Sequence, residues 1–422
     1  MECIKTEIKK GVNLHTIKTS KFKTNLFALM LTTKITKQNV TKNALISLIL
    51  RRGTANIKTQ EEISKKLENM YGANFDCGID KIGDNQVIKF YLESLNDEYL
   101  PENESNLKES LKTLLEIAFN PLVEENKFNQ EYFEAEKEKL KQIIEAKKDN
   151  KGMYAFNRCI EEMYKNEPYG IYKFGELDEL EKITNEELYA YYKELIQMCK
   201  VDIFVSGEPL KDIKEEIENN ENMKKLNERN AEYVKNSIEQ YDENVKERVI
   251  TESADITQGK LVIGMNLKDL NSNSKNIALI YNAILGGTAT SKLFQNVREK
   301  ASLAYTAGSN YVRQKNNIFI RCGIEIENYE KALKIIKEQI EDMREGKFTE
   351  EELENTKQYI ISTIEAIEDE QDTQITYYFG QEITDSNNSI REYIENINNV
   401  TKQQIVELAN TIKINTIYFL KN

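Results

Sequence analysis

The chain has a single histidine, His15, and no tryptophan in 422 residues. A metal site built on two histidines therefore cannot form within it. Its five cysteines (Cys3, Cys77, Cys159, Cys199 and Cys322) are odd in number, widely spaced and free of any C-x-x-C pair. They read as buried, reduced thiols and exclude a disulfide framework. No apolar run reaches the roughly 18 residues that a membrane span requires. The opening Met1-Glu2-Cys3-Ile4-Lys5 lacks a signal-type apolar core, so the expected compartment is the cytoplasm. Net positive charge is missing as well. At −13 the chain has no electrostatic footprint for non-specific nucleic-acid binding. Its lysines alternate with glutamates as they do on solvated helix faces.

What is present is a long internal repeat. Asn25–Ser94 and Gly259–Asn328 follow one pattern at an offset of 234 residues. Gly53-Thr54 precedes Tyr71 by 18 residues from the glycine, and Gly287-Thr288 precedes Tyr305 by the same spacing (287−53 = 305−71 = 234). Leu45-Ile46 falls on Leu279-Ile280, and Ile63 on Val297. A period this long means two duplicated domains, and 422 residues exceed what one core usually serves. The expected division is 1–210, a charged linker at 211–245 whose first part, Lys211–Leu226, looks helical and whose rest, up to Asn244, is extended, and 246–422.

In the first copy, strands are expected at Val12–Ile17, Leu26–Thr32 and Gln86–Leu92. A buried helix over Lys42–Arg52 stops at Gly53. A second helix opens at Thr59 with Glu62 as capping-box partner. Helices follow at Ser105–Ile117, Gln130–Lys147, Tyr154–Tyr164 and Leu188–Met198, then a strand at Val201–Val205. The second copy repeats the order, ending in a helix at Thr401–Ala409 and a strand at Asn415–Leu420. The expected class is α+β: two duplicated domains, each a mostly antiparallel sheet with helices packed on one face. The Gly286-Gly287 pair reads as a helix stop with a tight turn, since no G-K-[ST] follows it. His15, within a strand, reads as a partly packed surface residue.

The most distinctive segment is Leu285-Gly286-Gly287 followed by Ser291-Lys292-Leu293-Phe294-Gln295-Asn296-Val297-Arg298-Glu299-Lys300 and Leu303-Ala304-Tyr305. It resembles the C-terminal signature of the pitrilysin/insulinase-type (inverzincin) zinc peptidases, in particular the zinc-less members of their small bacterial two-domain branch. The duplicated layout and the Pro168-Tyr169-Gly170 turn extend the resemblance over essentially the whole chain. It implies a fold like half of the clam formed by the mitochondrial processing peptidase. In that family an H-x-x-E-H motif lies on the helix before a Gly-Thr pair. Counting back from Gly53-Thr54, its place is Ala44-Leu45-Ile46-Ser47-Leu48. Alanine and leucine stand for the two histidines, and serine for the base. The third-ligand region lies near Glu136–Glu145, with Ile143 at the ligand position and Glu145 close by.

The resemblance thus implies no metal bound by this chain and zinc carried by a partner subunit of the same family. Arg298 would hold a backbone carbonyl of a peptide or protein substrate, and Tyr305 would stabilise an oxyanion. Ser64 stands where Arg298 does in the first copy, so the fold does not require the arginine. The alternative is an inactive peptide-binding or scaffold protein acting as a homodimer, gripping peptides along a sheet edge. Neither reading involves nucleic acid or a membrane.

Overall fold

The computed structural model describes residues 2–102, 104–208, 212–235, 246–268 and 271–422. The chain divides into two compact units, each assembled from three stretches. Unit 1 comprises Met1–Ala146, Ile171–Lys235 and Glu368–Ile383; unit 2 comprises Lys147–Gly170, Asn236–Ile367 and Thr384–Asn422.

Unit 1 starts with strands β1 (Cys3–Lys9), β2 (Val12–Lys18) and β3 (Thr24–Lys34), helices α1 (Val40–Ile49) and α2 (Gln60–Asn69), and strands β4 (Asn74–Ile82) and β5 (Asn85–Leu95). Helix α3 (Asn106–Phe119), the short hairpin β6 (Val123–Glu124) and β7 (Lys127–Phe128), and helix α4 (Gln130–Glu145) follow. Helix α5 (Lys151–Met163) departs to unit 2. Unit 1 resumes with α6 (Leu177–Lys182), α7 (Asn185–Met198), β8 (Lys200–Gly207), α8 (Ile213–Asn219) and α9 (Glu221–Lys224). Its sheet has the order β1-β2-β8-β3-β5-β4, antiparallel except for the parallel pair β2·β8.

In unit 2, β9 (Arg248–Ser253) and β10 (Gly259–Asn266) lead to α10 (Ser272–Asn282), then β11 (Ala304–Val312) and β12 (Asn317–Ile324). Helices α11 (Tyr329–Arg344) and α12 (Glu350–Glu365) come next, and α13 (Gln371–Thr384) covers unit 1 over most of its length. Helices α14 (Ile390–Asn398) and α15 (Lys402–Thr411) and strand β13 (Lys413–Lys421) close the chain. The sheet order is β11-β12-β10-β13-β9, with β13·β9 its parallel pair. Removing β1 from the first sheet leaves the same order in both, read as β4↔β11, β5↔β12, β3↔β10, β8↔β13 and β2↔β9. The duplication read from the sequence is therefore a duplication of topology.

Packing explains the composition of the strands. In β3, Phe27, Leu29 and Leu31 face a core shared with α1, α3 and α7. Leu26, Ala28 and Met30 face a second core with Ile375, Phe379 and Ile383 of α13. A strand covered on both faces reads as an unbroken apolar run. In unit 2, Val262, Phe319, Tyr418 and Leu420 pack on Tyr154, Cys159, Ile160 and Met163 of α5. Gly264 lets α5 approach, because a Cβ there would lie 2.7 Å from Met163 Sδ.

Each sheet thus carries its helical layer on one face and, on the other, a single helix supplied by the other half of the chain. Grouping by contacts differs from the linear division at 210 and 246 in two exchanged stretches, Lys147–Gly170 joining unit 2 and Glu368–Ile383 joining unit 1. Hydrophobic pattern alone cannot say which sheet a helix covers. Within the 211–245 stretch the helical part expected at Lys211–Leu226 is present as α8 and α9, but the described portion is packed rather than solvated. Its 212–235 portion packs on unit 1, with Ile213, Ile217, Met223 and Leu226 in the core. Arg229 caps α7 by donating to the carbonyls of Ile196 (2.7 Å) and Cys199 (3.2 Å). Residues 211 and 236–245 of that stretch lie outside the described residues.

Candidate functional site

The helix in the place of the zinc motif is closed to chemistry. Ala44, Ser47 and Leu48 on α1 are all buried. Ala44 and Leu48 belong to the main core of unit 1, and the Ser47 hydroxyl donates to the Ala44 carbonyl at 2.8 Å. Of the third-ligand region, Ile143 is partly buried against the core and Glu145 is exposed. The buried carboxylate of α4 is Glu136, whose Oε1 faces Arg52 Nη1 at 3.5 Å. Arg52 also lies over the Tyr132 ring. Alanine, leucine and isoleucine offer no lone pairs, so these residues do not fit zinc.

The corresponding region of unit 2 is built differently. Helix α10 passes into a π-helical turn at Ala283–Gly287, and a second π-helical turn spans Phe294–Lys300. The glycine pair ends a wide turn rather than a plain helix cap. A Cβ on Gly286 would lie 2.6 Å from Ser309 Oγ and 2.7 Å from Ser309 N, so glycine is what lets this turn pack on β11.

The second turn carries Arg298 and closes through Ser302 in the left-handed region (φ 50°), with Leu303 N–H donating to Val297 O at 3.1 Å. This closure spans seven residues, one more than a Schellman end, as suits a turn of π-helix. It delivers the chain into β11 with Leu303 and Ala304 buried. Ala304 then pairs with Ile324 and Thr306 with Gly323, leaving Tyr305 as the extra residue of a bulge. A bulge re-aims a side chain that regular alternation would place elsewhere. Tyr305 is accordingly 65% exposed. Its hydroxyl has no hydrogen-bond partner among the described residues.

Arg298 is half-exposed. Its guanidinium stacks on the Phe294 ring at 4.5 Å, and Nε lies 3.6 Å from Glu299 Oε1. Both candidate residues are therefore presented to solvent from unit 2. π-Helical turns within helices recur at functional sites.

The first-copy counterparts are arranged otherwise. Ser64 lies on a regular helix, α2, and the Tyr71 hydroxyl donates to Glu104 at 2.8 Å. That hydrogen bond raises the Tyr71 phenol above its ordinary value.

His15 is not a surface residue. It is 1% exposed, and Nε2 lies 2.8 Å from Asp202 Oδ1. Strand periodicity gave its location on β2, but the partners come from β8 and α13, too distant in sequence to read. The free thiols of Cys77, Cys159, Cys199 and Cys322 are buried, as expected, and Cys3 is partly so. Among the described residues no helix is long and apolar enough to cross a membrane.

Residues 182–360 match the family model described as the peptidase M16 inactive domain. A Bacillus subtilis (strain 168) protein named "Probable inactive metalloprotease YmfF" is 35% identical over 418 residues, covering 97% of this chain and 96% of that protein. Among solved structures, a conserved protein from Enterococcus faecalis V583 superposes with a TM-score of 0.90 at 28% identity, covering 100% of this chain and 99% of that one. A peptidase M16 inactive domain from Pseudomonas fluorescens gives 0.79 at 16% identity, covering 100% and 98%, a likeness of fold. The near-complete match at 35% identity joins the two-copy topology and the segment from Leu285 to Tyr305 in one conclusion: this chain belongs to the peptidase M16 family.

Proposed function

We propose that this chain is the zinc-less subunit of a two-subunit peptidase of its family, lending Arg298 and Tyr305 to the metal site of a zinc-bearing relative. The observation that carries the reading is the bulge at Tyr305, which turns an unpartnered phenol outward seven residues after a half-exposed arginine. The chain's own α1 is meanwhile packed with residues that cannot ligate. A buried structural pair would not need the bulge.

In this reading the partner's metal supplies the activated water. Tyr305 donates a hydrogen bond to the oxygen that becomes negative as the scissile carbonyl is attacked. Such a donor matters most where charge develops. Arg298 holds a neighbouring substrate carbonyl with its planar fork of donors, and the Phe294 ring restrains it. The substrate class is an extended peptide, and the relative named an inactive metalloprotease is consistent with a chain that does not cleave unaided.

The test is co-expression with an H-x-x-E-H relative and measurement of peptide turnover by the purified complex. Arg298→Ala and Tyr305→Phe are each expected to lower turnover by about a hundredfold or more without dissociating the complex. Full activity of both variants, in a complex that requires this chain, contradicts the proposal. A complex that binds peptide but never cleaves it favours the scaffold alternative.

A further inference from the structure

His15 stacks on Phe204 of β8, ring centroids 4.2 Å apart and planes 10° from parallel. Its two nitrogens face two carboxylates. Nε2 lies 2.8 Å from Asp202 Oδ1 on β8, and Nδ1 lies 3.9 Å from Glu382 Oε1 on α13. Asp202 is fully buried and the Glu382 side chain is 22% exposed. The other charged or titratable groups around them come from every neighbouring element: Cys3 and Lys5 on β1, Lys200 on β8, Tyr233 after α9, and Tyr378 on α13.

Three of the four carboxylate oxygens have protein donors. Asn13 Nδ2 donates to Asp202 Oδ1 at 3.0 Å, the Tyr233 hydroxyl donates to Asp202 Oδ2, and the Lys5 ammonium donates to Glu382 Oε2. The fourth, Glu382 Oε1, faces His15 Nδ1. Although one ligand atom from each of His15, Asp202 and Glu382 falls within 4.8 Å of the others, these donors make the cluster a closed network rather than an open metal site.

The protonation of the ring decides whether the network is complete. A neutral imidazole has one N–H, and giving it to Asp202 leaves the Nδ1 lone pair against a carboxylate. The imidazolium has two N–H groups and offers one to each side. With the ring charged, Lys5 and His15 balance Asp202 and Glu382. With it neutral, a net negative charge is left in a buried setting, which is costly.

We infer that His15 is a proton-operated latch on α13, its imidazolium tying Glu382 to β2 and β8 and the loss of its proton releasing that end of the helix. Loss of the proton leaves Nδ1 without an N–H toward Glu382 Oε1, so raising pH withdraws the latch. The contact sits where a helix supplied by the C-terminal half of the chain packs on unit 1, so the docking of that helix is what the proton controls.

The single histidine makes the test unambiguous. Ring nitrogen and carbon NMR signals of the full chain report the protonation of His15 alone. Hydrogen exchange, corrected for intrinsic rates, reports the protection of residues 375–383 in the same samples. In the wild type, protection is expected to fall at least about tenfold across the range in which His15 titrates. In Glu382→Gln, which keeps a polar partner for Lys5, protection should no longer follow the titration, and His15→Asn should behave likewise. Equal pH dependence of protection in wild type and Glu382→Gln overturns the inference. So does a His15 ring that changes protonation without any change in protection, or one whose signals shift on addition of zinc.

Discussion

The two copies of the repeat share a strand order but not a surface. In unit 1, α2 is a regular helix with a complete capping box between Thr59 and Glu62, and the tyrosine after it is tied to Glu104. In unit 2, the counterpart is π-helical and closes through the left-handed Ser302. The tyrosine after it stands free on a bulge. Conversely, α1 is packed solid where the resemblance read from the sequence would place an H-x-x-E-H motif. The comparison separates what the fold needs from what it can present. The strand order survives Ser64 for Arg298 and a helix for a π-turn, so those differences are free to serve function.

The largest expected effect tests that asymmetry directly. In an active complex, Arg298→Ala and Tyr305→Phe should each reduce turnover by about a hundredfold or more, while Ser64→Ala and Tyr71→Phe in the first copy leave kcat nearly unchanged. Comparable losses from both pairs would erase the distinction.

The next prediction tries to turn unit 1 back. Placing His, Glu and His at Ala44, Ser47 and Leu48 introduces polar groups into a filled core. We expect a loss of several kcal/mol, read by urea denaturation, and no gain of hydrolysis because Ile143 supplies no third ligand. A stable, zinc-loaded triple variant would show that α1 is only superficially closed.

A smaller effect compares how each unit holds its exchanged helix. In unit 2, α5 is anchored at Glu252, which accepts from the Tyr154 and Tyr418 hydroxyls and from Arg158 Nε. Burial pushes the Glu252 carboxyl up, but the hydrogen bonds from Tyr154, Tyr418 and Arg158 outweigh it and hold the carboxyl below its ordinary 4.5. A depressed carboxyl contributes stability that is complete above that ordinary value and is lost as pH falls through the folded one. Acid should therefore loosen α5, whereas the His15 latch on α13 weakens as pH rises. Hydrogen exchange of 151–163 at neutral and acid pH, in wild type and Glu252→Gln, measures it. The variant should show the weaker acid dependence.

The smallest effect concerns one capped helix start in each copy. Thr59→Ala and Thr349→Ala each remove a capping box, on α2 and α12, and should each cost about 1 kcal/mol in denaturation experiments.

The reasons some features were legible in the sequence and others were not are physical. Thr59, Ser105 and Thr184 announce helix starts through local side-chain bonds to the backbone, and each is an observed N-cap. The apolar runs of β3 and β10 announce central strands. Edge strands such as β1, β4, β9 and β11 are half exposed, so charged residues and Gly78 blur their period. The exchange of α5 and α13 is a tertiary choice with no local signature. At the site, the spacing of Arg298 and Tyr305 and the apolar replacements on α1 were readable. The π-helical turns and the bulge were not, because they depend on how Gly286 and Ser302 let the chain pack on β11. His15 illustrates the same limit, since the carboxylates that define it arrive from β8 and α13.

The most direct test of the central claim is the metal content and peptide turnover of this chain purified alone, set beside the same measurements on its complex with an H-x-x-E-H relative. The account predicts no stoichiometric zinc and no hydrolysis from the chain alone, and turnover from the complex that depends on Tyr305. Tightly bound zinc with hydrolysis by the isolated chain would contradict it.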